Sequence, residues 1–150
     1  MPMTHRSHTE LFYHFAWSTY RREKTIAVSW ESRLFDFIKT KCLQLCCPLL
    51  EVNGTDDHIH VLLRGNANLS PASIAHDLKG LSSFLVNKNA ICDRRFGWQD
   101  GYGVFSVSPH DVDMVARYIQ NQKQHHAAGE YRGEWEPEDD GDSCVESSEV

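Results

Sequence analysis

Two strand-like runs, Pro48-Leu49-Leu50-Glu51-Val52 and His58-Ile59-His60-Val61-Leu62-Leu63, flank the dipeptide Asn53-Gly54. Asn-Gly favours the left-handed backbone of a tight antiparallel turn, so it is the strongest short-range signal for a hairpin. The expectation is a hairpin closed at Asn53-Gly54. An isolated hairpin is marginal in water, so the remaining chain must complete a sheet and cover it.

The flanking segments do that in a definite order. Leu11-Phe12-Tyr13-His14-Phe15-Ala16-Trp17-Ser18 reads as a buried aromatic strand, followed by the basic loop Tyr20-Arg21-Arg22-Glu23-Lys24. Trp30 to about Cys46 carries Leu34, Phe35, Ile38, Cys42 and Leu45 at helical spacing. After the hairpin, Ser70-Pro71 supplies a cap and a first-turn proline, and Ile74, Leu78, Leu81 and Leu85 mark a buried stripe. A loop from Arg94 to Gly103 leads into the strand Val104-Phe105-Ser106-Val107. Ser108 or Asp111 then caps a last helix running to about Ala127. The order β-α-β-β-α-β-α predicts an α+β, ferredoxin-like (RRM-like) split β-α-β antiparallel sheet with an additional C-terminal helix. The first two helices would cover one sheet face, leaving the last free to lie elsewhere.

The chain of 150 residues suits one domain. Its net charge of -6 argues at first against nucleic acid, but the charge is unevenly placed. Residues 134–150 hold eight acids and no Lys or Arg, leaving 13 acids and 15 bases in residues 1–133. The division expected is a domain over 1–130 and an acidic, disordered tail over 131–150. No apolar run reaches a membrane span and no signal peptide is visible, which predicts a cytoplasmic protein without membrane contact. Five cysteines without a C-x-x-C pair suggest free thiols, with Cys42 and Cys46 expected to be buried on the first helix.

Three constellations carry chemistry. On a strand of period two, His58 and His60 share one face, while Ile59, Val61 and Leu63 share the other. Two imidazoles on one face can form half of a metal site, although ordinary surface or pairing histidines produce the same pattern. A third alternating histidine is absent, since Leu62 follows, which counts against a histidine-triad hydrolase. In the last helix, Val112, Val115, Ala116 and Ile119 form the core stripe, and Tyr118 and Gln122 stand together about 100° to its side. Tyr118 is therefore either a functional hydroxyl or a boundary tyrosine with its tip in water. Arg21, Arg22, Lys24 and the run Arg94-Arg95-Phe96-Gly97-Trp98 combine bases with aromatics, as phosphate contact and base stacking require. Solvated charge runs beside core aromatics would look the same.

Taken together, these segments resemble one family over roughly residues 11–130. The resemblance rests on Tyr13-His14 followed by Tyr20-Arg21-Arg22, on Asp57-His58-Ile59-His60-Val61-Leu62, and on Leu78-Lys79-Gly80-x-Ser82-Ser83. It continues through Trp98-Gln99-x-Gly101-Tyr102-Gly103-x-Phe105-Ser106-Val107-Ser108 and Tyr118-Ile119-x-Asn121-Gln122-x-x-His125-His126. The chain is similar to the single-tyrosine HUH transposases of the IS-two-hundred-like insertion-sequence group and their repeat-associated relatives. That resemblance implies His58, His60 and Gln122 as ligands of a divalent metal, Mg2+ or Mn2+, and Tyr118 as nucleophile. It implies a single-stranded DNA partner with hairpins at element ends, and a homodimer in which the tyrosine helix of one subunit completes the site of the other. Arg21, Arg22, Lys24, Lys79 and Trp98 are the corresponding DNA-contact candidates. Two other readings stand beside it: a domesticated or inactive relative that binds hairpins without transposition, and a ferredoxin-like module that binds a metal or small ligand.

Overall fold

In the computed structural model, residues 7–128 are described, and the acidic segment and the domain boundary expected near residue 130 lie outside them. Four strands, β1 (Phe12–Ser18), β2 (Leu49–Gly54), β3 (His58–Arg64) and β4 (Gly103–Val107), form one antiparallel sheet in the order β2-β3-β1-β4. The helices are α1 (Glu31–Gln44), α2 (Pro71–Lys88), α3 (Val112–Gln120) and α4 (Gln122–Ala128). Strand order and direction are those of the ferredoxin-like plan.

The strand period divides the chain between two cores. Phe15 and Trp17 of β1, with Ile59, Val61 and Leu63 of β3, point toward α1 and α2 and join Leu34, Ile38, Ile74 and Leu78 in the main core. On the opposite face, Leu62 packs with Val115, Tyr118 and Ile119 of α3 in a smaller cluster. His14, His58 and His60 share that second face, which is why β3 is buried on both sides.

The hairpin differs from expectation at its tip. Asn53 and Gly54 are the last residues of β2, paired with His60 and Ile59, and the turn is Thr55–Asp57. Gly54 is required there by close approach: a Cβ would stand 2.2 Å from the His58 carbonyl oxygen.

Helix ends also refine the expected pattern. Helix α1 stops at Gln44, and Cys46 takes a left-handed φ of 55°. The N–H groups of Cys46 and Cys47 then return to the carbonyls of Leu43 and Cys42, a Schellman closure. That turn buries Cys47 beside Cys42 and leaves Cys46 exposed, contrary to the burial expected of Cys46. Ser70 Oγ caps α2 by accepting from the Ser73 N–H at 3.1 Å. The fully buried stripe of α2 is Ile74, Ala75, Leu78, Ser82 and Val86, with Leu81 and Leu85 only partly covered. Its spacing of four passes through a serine, which hydrophobicity alone does not reveal. The last helical segment is two helices, broken at Asn121, whose φ and ψ are -95° and 17°.

Candidate metal and nucleophile site

The second sheet face gathers polar groups that a β-sheet core otherwise excludes. In the β1–β3 register, Ser18 is opposite His58, Ala16 opposite His60, and His14 opposite Leu62. Ala16 is small, so the His60 ring has room to lean along the face toward its diagonal neighbour His14. The two rings meet with His14 Nε2 and His60 Nδ1 2.8 Å apart.

His58 is anchored through the same nitrogen. Its Nδ1 stands 2.7 Å from Asp57 Oδ1 and 2.9 Å from Thr55 Oγ1, both in the hairpin turn. The ionised carboxylate can only accept, so Nδ1 carries the proton and Nε2 is the nitrogen left for other partners. The proton donated by His58 holds the Asp57 carboxyl below its ordinary value against the opposing effect of burial. The charge of Arg22 and a hydrogen bond from Thr55 act in the same direction.

Helices α3 and α4 close the face. The Gln122 amide nitrogen lies 3.2 Å from His58 Nε2, so as it is turned its N–H donates to that lone pair. The Tyr118 and His60 rings meet edge to face at 6.0 Å, and the His126 and His58 rings lie 4.6 Å apart. His58, His60 and Gln122 are buried, and Tyr118 is 7% exposed. Tyr118 is thus a member of the small core rather than a wet boundary residue. Around α3 and α4, Gln120 Nε2 donates to Glu51 Oε2 at 2.8 Å, and Lys123 Nζ donates to Asn53 Oδ1 at 2.8 Å and pairs with Glu31 at 3.1 Å. These bonds fix the break at Asn121 against β2 and α1.

The structure therefore brings His58, His60, Gln122 and Tyr118 together within one chain. It adds His14, Asp57, Thr55 and His126, to which sequence reasoning gave no role. The parity of β1 could have found His14, since it alternates with Tyr13, Phe15 and Trp17.

The DNA-contact candidates divide. Arg21 and Lys24 are exposed and Arg22 is half-buried, in a turn where both arginines adopt a φ of 53°. Left-handed backbone costs a non-glycine residue roughly 1–2 kcal/mol. The turn is held by the Arg22 N–H to Thr19 O at 2.9 Å and by Thr19 N to Asp57 O at 2.8 Å, which ties it to the turn before His58. The two basic loops also meet, with Tyr20 N donating to Gly97 O at 2.9 Å. Between them lies a cleft of about 390 Å³ lined by Tyr20, Glu23, Arg95 and Gly97 among others. The Tyr20 ring is 50% exposed and carries the Arg21 guanidinium 5.0 Å from its centre.

Trp98 and Lys79 are placed otherwise. Trp98 is 9% exposed, packs edge to face on Trp17 and Phe96, and donates its indole N–H to Ser82 Oγ at 2.9 Å. Its ring is a core element and is not presented for base stacking. Lys79 directs its ammonium at the carbonyls of Gln99, Asp100 and Gly101, at 2.6, 3.1 and 2.9 Å. An ammonium has three protons, so its donors are accounted for by pinning this loop.

The fold and this face define a class, and comparison with known proteins defines it further. Residues 7–122 match the family model described as Transposase IS200 like, so the chain belongs to the IS200-like transposase family. Its fold is similar to that of a protein from Deinococcus radiodurans R1 assigned as a transposase. That match has a TM-score of 0.64 and 23% identity, over 81% of this chain and 98% of that one. A REP-associated tyrosine transposase bound to a REP hairpin is also similar, with a TM-score of 0.58 and 12% identity, over 87% of this chain and 76% of that one. Among curated proteins none matches. Among the described residues, no helix is long and apolar enough to cross a membrane.

Proposed function

We propose that this transposase cleaves and rejoins single-stranded DNA through a covalent bond to Tyr118. The observation that carries the reading is the convergence of two buried imidazoles and a buried amide beside a tyrosine, on a sheet face that packing alone would fill with apolar side chains.

The donor set fits a divalent cation. Both histidines meet polar partners through Nδ1, so Nε2 of each would be the coordinating nitrogen, and the Gln122 amide can turn to offer its oxygen. Imidazole donors suit Mn2+ and oxygen donors suit Mg2+, and the set contains both kinds. When bound, such a cation neutralises charge on a non-bridging phosphate oxygen.

The remaining steps fall to the chain itself. Tyr118 Oη attacks phosphorus, its proton leaves to solvent or a neighbouring base, and the bond from phosphorus to the 3′-oxygen breaks, that oxygen taking up a proton from solvent. The products are a 5′-phosphotyrosine and a free 3′-hydroxyl. Attack by a 3′-hydroxyl on the phosphotyrosine reverses the step, and no ATP is needed because the phosphodiester energy is retained in the link. Arg21, Arg22 and Lys24, beside the turn that carries Asp57, supply charge for the DNA backbone, and Tyr20 supplies a stacking face. Hairpin-containing ends are the substrate this reading favours.

The deciding experiment uses a single-stranded oligonucleotide with a hairpin, Mn2+ or Mg2+, and denaturing gels. Wild type is expected to form a covalent protein–DNA adduct, and Tyr118→Phe none, while both bind the hairpin. Adducts persisting in Tyr118→Phe would rule out this nucleophile. Hairpin binding without any wild-type adduct would instead favour a binding protein that has lost transposition.

A further inference from the structure

A hydrogen bond between two imidazoles needs one N–H and one lone pair, so the 2.8 Å contact between His14 Nε2 and His60 Nδ1 has two forms. In one, His60 Nδ1–H donates to His14, and Nε2 of His60 keeps its lone pair. In the other, His14 Nε2–H donates to His60 Nδ1, and the neutral His60 ring must carry its proton on Nε2. Only the first form can bind a cation through Nε2.

We propose that His14 is a positioning residue that accepts the Nδ1 proton of His60 and so holds Nε2 of His60 in its metal-binding form. The inference rests on the metal site argued above. The geometry of the companion ligand supports it. His58 is fixed through Nδ1 by Asp57, which can only accept, so its Nε2 is the nitrogen presented, and the same choice at His60 would make the two ligand rings alike. His14 performs for His60 what Asp57 performs for His58, from a different strand. Both members of the His14–His60 pair are buried, so water does not compete for Nδ1. The rings lie 5.1 Å apart and tilted by 34°, and His14 is backed by Phe105 at 5.8 Å, which limits its rotation. An apolar residue at position 14 would leave Nδ1 of His60 without this acceptor.

Two measurements on the full chain test this. The first is Mn2+ affinity, with Mn2+ alone as probe, for wild type, His14→Phe, His14→Gln and His58→Ala. His14→Phe is expected to weaken binding about 10–100-fold, the usual effect of losing a partner behind a ligand. His14→Gln, whose amide oxygen can replace the Nε2 acceptor, is expected to recover most of it. The second is the nitrogen-15 spectrum of the metal-free protein, in which His60 should be protonated on Nδ1 in wild type and shift toward Nε2 protonation in His14→Phe. A packing role alone would lower the melting temperature and move neither quantity. Equal Mn2+ affinity in wild type and His14→Phe, with His58→Ala impaired, would overturn the role of His14 and leave the metal site standing. Equal affinity in wild type and His58→Ala would overturn the metal site and the inference built on it. His60 protonated on Nε2 in wild type would overturn the inference by itself.

Discussion

Nε2 of His58 faces the side-chain amide of Gln122 at 3.2 Å, across a separation of 64 residues. The contact joins the strand that carries the imidazoles to the first turn of α4. As drawn, an amide N–H occupies the lone pair that a cation would use. Replacing Gln122 by Glu offers oxygen in either orientation, and replacing it by Ala offers nothing. Gln122→Glu is expected to bind Mn2+ at least as tightly as wild type. Gln122→Ala should lose more than the ~10–100-fold that follows loss of a supporting residue. Titration calorimetry with Mn2+ checks both, and wild-type affinity in Gln122→Ala would remove Gln122 from the ligand set.

The family resemblance implies that the tyrosine helix serves the partner's site, yet here Tyr118 stands beside His60 of its own chain. Helix α3 buries Val115 and Ile119 against Leu62 of the same sheet, and Lys123 ties α4 to Asn53 and Glu31. Mixing Tyr118→Phe with His58→Ala distinguishes the arrangements. Sites assembled within one chain leave the mixture as inactive as each variant alone in the adduct assay. Exchange of the helix between subunits would restore adducts, up to the level set by the fraction of mixed dimers.

Trp98 and Tyr20 are both aromatic and flank the same cleft, but only one is accessible. Trp98→Ala is expected to destabilise the protein by ~3–5 kcal/mol, because it empties a core position and strips Ser82 of its donor. Tyr20→Ala should leave thermal stability near wild type and weaken single-stranded DNA binding by ~1–3 kcal/mol if its ring stacks a base. Arg21→Ala should flatten the salt dependence of binding, by about one unit of log–log slope if it meets a phosphate. Denaturant melts and fluorescence anisotropy at several salt concentrations separate these effects.

Periodicity made the sheet and three of its helices legible, because a period of two on His58–Leu63 and of 3.6 on Leu34–Cys42 follows from burial on one face. It failed where backbone geometry, not burial, decides. Asn53-Gly54 resembles a turn, but Gly54 is needed at the strand end for a close carbonyl contact. Tyr118 and Gln122 could be placed side by side from helical spacing, whereas the break at Asn121 depends on bonds to β2 that local sequence does not encode. Lys79 and Trp98 were indistinguishable from DNA contacts until their acceptors, distant in sequence, were known. His14 was legible by strand parity, but its link to His60 required the register of β1 against β3.

The thiols of Cys42 and Cys46 differ in burial, and alkylation should expose the difference. Cys42 is buried, and desolvation, with a smaller contribution from Cys47, raises its pKa from 9.0 to about 12. Cys46 is exposed at the left-handed turn after α1. The thiolate is the reactive form, so iodoacetamide at pH 8 is expected to modify Cys46 in the native protein and to reach Cys42 only after unfolding. Raising the folded pKa means that the native state favours the protonated thiol. The resulting stability is fully present below pH 9 and is lost as pH rises toward 12. Peptide mapping after labelling at pH 8 should therefore show Cys42 unmodified. Cys42→Ala should remove this alkaline loss while leaving a cavity that lowers stability at neutral pH. Rapid native labelling of Cys42 at pH 8 would show that the α1–sheet core opens locally on the labelling timescale.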